Sequence, residues 1–213
     1  MRTCGAPEAR GFSSLWSGRA TSSAFALVAL TTLAVSAVPH GAAWGEPSAN
    51  SPVRHLTAAP SAAPPLFTLP DLAGAQLKLE AQRGRVVLLH FFATWCEPCR
   101  EELSSLSHLQ LGPRGKQVVV VGVNVAEVPV RVRRFLNAAP VSFPVVLDTD
   151  RAVTRAWAVG VLPTTFVLDP TLQPKLFVEG DLDWSRPDVL STLDAIVAAV
   201  SSETSTHHTD REK

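Results

Sequence analysis

Val86-Val87-Leu88-Leu89-His90-Phe91-Phe92, followed after Ala93-Thr94-Trp95 by Cys96-Glu97-Pro98-Cys99, is the stretch on which the reading of this chain turns. Seven residues, apolar on both faces except at His90, predict a central strand covered on two sides. Proline suits the first turn of a helix, so a helix opens near Pro98 and places two thiols at its N-terminus. Unpaired backbone N–H groups and the helix dipole stabilise a thiolate there and lower its pKa. The thiolate is the attacking species in disulfide exchange, so the pattern points to dithiol–disulfide redox chemistry. A permanent staple is the plainer reading of the pair, but closing a two-residue loop removes little chain entropy. A four-cysteine zinc site is excluded, because the only other cysteine is Cys4.

Cys96 precedes the helix and is expected to be the more exposed, more acidic thiol. Cys99 lies one turn in, placed to resolve a mixed disulfide. Trp95, Glu97 and Pro98 frame the pair and tune it. The Glu97 carboxylate opposes a neighbouring thiolate and moves the pair toward the reducing end, while Arg100 pulls the other way. Glu102 is three residues beyond Cys99 on the same helical face, near enough to exchange protons with it; an acid in a first turn also simply complements the dipole. His90 shares its strand face with Leu88 and Phe92. It reads either as a neutral, hydrogen-bonded core histidine or as a group tuning the buried thiol. Pro163 opens a downstream strand, and the residues alone leave its peptide bond trans or cis.

The 213 residues carry 19 Lys plus Arg against 19 Asp plus Glu, with no basic stripe, which argues against a nucleic-acid partner. The 46% apolar share supports a proper core without stapling. Arg2, Arg10 and Arg19 precede the apolar run Ala24–Val38 and the small residues Gly41-Ala42-Ala43. That order is a secretory signal over 1–45, with an uncleaved membrane anchor as the alternative; the membrane is met only through this segment. Residues 46–65, rich in Pro, Ala and Ser, read as a flexible linker. A domain follows over 66–202, then a polar, frayed tail over 203–213. No pattern points to a cofactor or a resident metal.

Within the domain, Leu66–Leu69 and Gln76–Glu80 are expected as a hairpin across a Gly74 turn. Strands over Gln117–Val125, Val145–Leu147, Thr164–Leu168 and Lys175–Glu179 are expected to alternate with helices after Pro98, Pro129, Asp148 and Pro187. The outcome is an α/β domain, a mixed central sheet flanked by helices.

With these motifs in hand, the chain resembles the thioredoxin superfamily. More closely, it resembles the exported TlpA/ResA-like thiol–disulfide oxidoreductases. His90 to Leu103 matches that family's active-site segment, and Phe143 to Asp150 and Val161 to Phe166 match two further stretches. The resemblance implies a thioredoxin fold with an N-terminal hairpin and a helix–strand insertion between Val125 and Asp148. It implies a cis Pro163 facing the disulfide, with a client backbone beside it, and an active-site role for Glu102. It implies an exported reductant of protein disulfides, on the periplasmic or outer face of the cytoplasmic membrane. The client it implies is the C-x-x-C-H disulfide of apocytochrome c, and the recharging partner a membrane thiol–disulfide electron donor. Two departures stand out: His90 occupies the place of a buried acid in thioredoxins proper, and apolar Leu162 precedes Pro163. The rival readings are a copper-site thiol reductant or copper chaperone, a peroxiredoxin-like peroxidase, and a disulfide-forming oxidant. The first needs a third ligand, and the second meets Ala at position 93 where that framework has Thr.

Overall fold

A computed structural model describes residues 54–60 and 64–209, with side chains as far as residue 199. The leader read over 1–45, Cys4 and the start of the 46–65 segment lie outside the described residues. Among the described residues no helix is long and apolar enough to cross a membrane.

The elements follow the chain as strands β1 (Thr57–Ala58), β2 (Thr68–Pro70), β3 (Gln76–Lys78) and β4 (Val86–Phe92), then helix α1 (Glu97–Leu111) and strand β5 (Val118–Val125). Helix α2 (Pro129–Ala138), strand β6 (Val145–Asp148), helix α3 (Ala152–Ala156), strands β7 (Thr164–Leu168) and β8 (Pro174–Glu179) and helix α4 (Pro187–Thr209) complete it. One six-stranded sheet runs in the order β1-β8-β7-β4-β5-β6, and β2 and β3 form a separate hairpin. β4, β5 and β6 are parallel, whereas β7, β8 and β1 join antiparallel, so the sheet is mixed as expected.

β4 divides the core by parity. Leu88 and Phe92 face one side, with Cys99, Leu103 and Leu106 of α1 and Leu193 of α4. Val87, Leu89 and Phe91 face the other, with Val153 and Trp157 around α3 and Leu79 after the hairpin. This period of two puts His90 on the α1 side, under the cysteines. Its parallel partner is Gly122, where an added Cβ would lie 3.1 Å from Phe143 and 3.2 Å from Phe92. The sheet therefore packs closely behind the site at a position with no room for a side chain.

Four expectations are revised. The linker read over 46–65 contains β1: Thr57 pairs with Phe177 and Ala58 with Leu176, and the Ala59 N–H donates to Lys175 O at 2.9 Å. Sheet edges recruit backbone, so a segment poor in large apolar side chains can still be held there. Arg54 fastens the same segment, donating to Glu179 O at 2.8 Å. At the other end, α4 runs on to Thr209 through most of the stretch read as a frayed tail; extending an existing helix costs less than nucleating one. β3 is cut short because Leu79 to Gln82 form a 3-10 turn.

The fourth revision is α3, expected from Asp148 and found only from Ala152. Asp148 belongs to β6, and its buried carboxylate accepts from the backbone N–H of Val153 (3.2 Å) and Thr154 (2.7 Å) and from the Thr154 hydroxyl (2.5 Å). It satisfies the start of the helix from outside it. Asp148→Ala leaves those donors buried and unpaired, and is expected to cost roughly 2–4 kcal/mol in chemical denaturation.

Candidate active site

The Cys96–Cys99 disulfide is formed, with an S–S distance of 2.04 Å. Cys96 is the N-cap of α1, and its Sγ accepts the Cys99 N–H at 3.3 Å. The unpaired N–H groups of a 15-residue helix thus point at the sulfurs. Cys96 is 6% exposed and Cys99 fully buried, the expected order with a narrow margin. Only the first sulfur offers a surface to an incoming thiol or disulfide. Trp95 beside it is 66% exposed. Glu97 and Arg100, read as opposing influences, pair with each other at 2.7 Å on the helix surface. Neither charge bears on the thiols alone. The Leu162–Pro163 peptide bond is cis.

Beneath the disulfide lies a buried polar cluster. Glu102 is 3% exposed; Trp184 Nε1 donates to its Oε1 in a short hydrogen bond, and Thr165 Oγ1 donates to the same oxygen at 3.5 Å. Burial pushes the Glu102 carboxyl up to about 8, and the negative charge of Asp181 raises it too. Hydrogen bonds from Trp184 and Thr165 and the nearby Leu182 backbone pull the other way. At neutral pH the group is therefore largely a carboxylic acid. Oε1 takes both donors, and Oε2 has no hydrogen-bond partner among the described residues.

His90 completes the cluster. Its Nδ1 lies 2.9 Å from Thr165 Oγ1 and 3.9 Å from Glu102 Oε1. Burial lowers its pKa to about 3, so the ring is neutral and the contact with Glu102 is not an ion pair. The Thr165 hydroxyl thus links His90 to Glu102. The other ring nitrogen, Nε2, has no hydrogen-bond partner among the described residues. His90 and Thr165 are register partners on β4 and β7, which is why residues 75 apart meet.

A second carboxylate fixes the loop before the cysteines. Glu127, at the end of β5, accepts from the Thr94 N–H and the Thr94 hydroxyl, both at 2.6 Å, and from Asn124 Nδ2 at 2.7 Å. Two of these bonds hold the residue two positions before Cys96.

The residues singled out from sequence converge: Cys96, Cys99, Glu102 and His90 are buried together, Leu162 packs against the same core, and Trp95, Glu97 and Pro98 are exposed around the first cysteine. Trp184, Thr165 and Glu127 were not singled out. Thr165 stood in the quoted Leu-Pro-Thr-Thr stretch, but nothing local to Trp184 marks it as a partner of Glu102. Among the described residues no group of three or more His, Cys, Asp or Glu side chains is arranged to hold a metal ion.

A redox dithiol at a helix N-terminus, in a mixed sheet and beside a cis-proline loop, defines a thioredoxin-fold disulfide-exchange protein. The chain belongs to the AhpC/TSA family, whose model matches residues 60–173. Its curated relatives narrow the placing to the TlpA/ResA-like branch. It is 42% identical over 106 residues to the thiol–disulfide oxidoreductase ResA of Bacillus subtilis (strain 168), covering 50% of this chain and 59% of that protein. It is 34% identical over 132 residues to ResA of Geobacillus thermodenitrificans (strain NG80-2), covering 62% and 75%. Among solved structures it resembles a Chlorobium tepidum protein assigned as thiol:disulfide interchange protein DsbE. That match has a TM-score of 0.60 and 28% identity over 66% of this chain and 99% of that one. The match spans less than two thirds of the Bacillus relative's own length. The peroxidase alternative is not favoured, since these relatives are named for disulfide exchange.

Proposed function

We propose that the protein is an exported reductant of protein disulfides. The observation that carries this reading is the Cys96–Cys99 disulfide at the N-terminus of α1 with the carboxyl of Glu102 buried on the same helix. Burial raises the Glu102 pKa, which makes its carboxylate a base able to take the Cys99 proton. In the reduced protein, the Cys96 thiolate attacks one sulfur of a client disulfide. The client S–S bond breaks, its other sulfur leaves as a thiolate, and a mixed disulfide forms. Cys99 passes its proton to Glu102, and its thiolate attacks Cys96 Sγ. The client's second sulfur leaves, two electrons have passed to the client, and Cys96–Cys99 is oxidised.

Recharging reverses the order. A dithiol donor attacks Cys96, Cys99 leaves as a thiolate and takes the proton back from Glu102, and the donor's second thiolate then closes the donor disulfide as Cys96 leaves. Pro163 and Leu162 provide the wall along which the client chain lies, and Trp95, Pro98, Glu97 and His90 set the potential. The client favoured by the family likeness is the C-x-x-C-H disulfide of apocytochrome c, and the donor a membrane thiol–disulfide carrier. The basic flank and apolar run near the N-terminus support export, with the domain outside the cytoplasmic membrane.

The test is the potential of the Cys96–Cys99 couple together with turnover on an oxidised C-x-x-C-H peptide. A value near about −270 mV with rapid peptide reduction is expected; one near about −120 mV reverses the direction of electron flow.

A further inference from the structure

Next to Trp95, the residue before Cys96, lies a groove of about 260 Å³ that Val125, Ala126, Arg151, Val161 and Leu162 also line. Its walls are largely apolar, and Trp95 and Val161 are exposed on its rim. The backbones of Gly160 and Leu162 make no hydrogen bond within the described residues, so they offer main-chain donors and acceptors to an extended chain.

The charge in the groove is one-sided. Arg151 stands in the left-handed conformation (φ 62°) between β6 and α3, and its guanidinium has no ion pair or hydrogen bond among the described residues. None of Asp148, Glu127 and Asp150 lines the groove. Asp148 is buried and saturated by Val153 and Thr154, and Glu127 by Thr94 and Asn124. Asp150, its chain neighbour, receives the Ala152 N–H on Oδ1. A free guanidinium at the end of an apolar groove is complementary to a carboxylate carried on an apolar segment.

We infer that Arg151 is a specificity residue: the groove takes an extended client segment with an Asp or Glu side chain near its disulfide, and Arg151 binds that carboxylate. This deepens the proposed function and rests on it.

The test uses three oxidised two-cysteine peptides, identical except for Asp, Asn or Lys at a flanking position, with each flank tried in turn. Reduced wild-type protein is expected to reduce the Asp peptide about tenfold faster than the Lys peptide at low ionic strength, a gap that closes as salt is added. R151E is expected to reverse the order, and R151K to keep the wild-type order. Equal rates for all three peptides at every flank, or an R151E protein that keeps the acidic preference, overturn the assignment of Arg151 and leave the reductase reading standing. Failure to reduce any of the peptides overturns both.

Discussion

Replacing Cys99 by Ala is expected to stop turnover while client accumulates covalently on Cys96. The buried sulfur is the only nucleophile placed within one helical turn of the mixed disulfide, so without it the first exchange has no exit. Loss of a residue that acts as the reacting group lowers the rate by on the order of 10⁴-fold or more. Cys96 keeps its place as N-cap of α1, so the first attack survives. Non-reducing electrophoresis and intact mass should show a one-to-one adduct that dithiothreitol dissolves. The adduct should be absent when Cys96 is also replaced. A Cys99→Ala protein that turns over, or that yields no adduct with an oxidised peptide, excludes the two-step exchange.

The second large effect belongs to Glu102. In the oxidised protein its pKa stands near 8, against an ordinary value of 4.5. Between those two pH values Glu102 holds one more proton in the folded protein than in the unfolded chain, so its own contribution to stability falls as pH rises through the window. At about 1.4 kcal/mol per unit, the loss from pH 4.5 to 8 is roughly 4–5 kcal/mol. Below 4.5 both states are protonated and the term vanishes. Glu102→Gln keeps the shape and the acceptor for Trp184, so in denaturant titrations the oxidised variant should lose this fall and keep only the rise in stability up to about pH 6.5 that His90, lowered from 6.5 to about 3, contributes to both proteins. The same variant lacks a proton acceptor for Cys99 and should resolve the mixed disulfide about a hundredfold more slowly. Trp184→Phe removes a donor that favours the ionised carboxylate and should move the stability transition to higher pH. A pH profile identical in wild type and Glu102→Gln would remove Glu102 from the proton path.

Much of this site could be read along the chain because its chemistry is local. The two cysteines, the helix start that activates them and the acid one turn on lie within Cys96 to Glu102, where helical geometry dictates who shares a face. The alternation in Val86–Phe92 likewise put His90 on one face with Leu88 and Phe92, which the structure shows to be the face α1 covers. Less could be seen where the partner is distant. Trp184 meets Glu102 from 82 residues away, and Thr165 meets His90 through antiparallel register. Glu127 reaches Thr94 across the top of the sheet, and Thr57–Ala58 joined it by backbone bonds that composition does not reveal.

The sequence by itself determined the dithiol, the α/β order of elements and which residues of β4 share a face, since these depend on spacing and periodicity. Only the tertiary structure decided the protonation of that chemistry. Burial strips water from Glu102 and His90, which raises the pKa of the one and lowers that of the other, and the donors that distant strands and loops bring to Glu102 hold its rise in check.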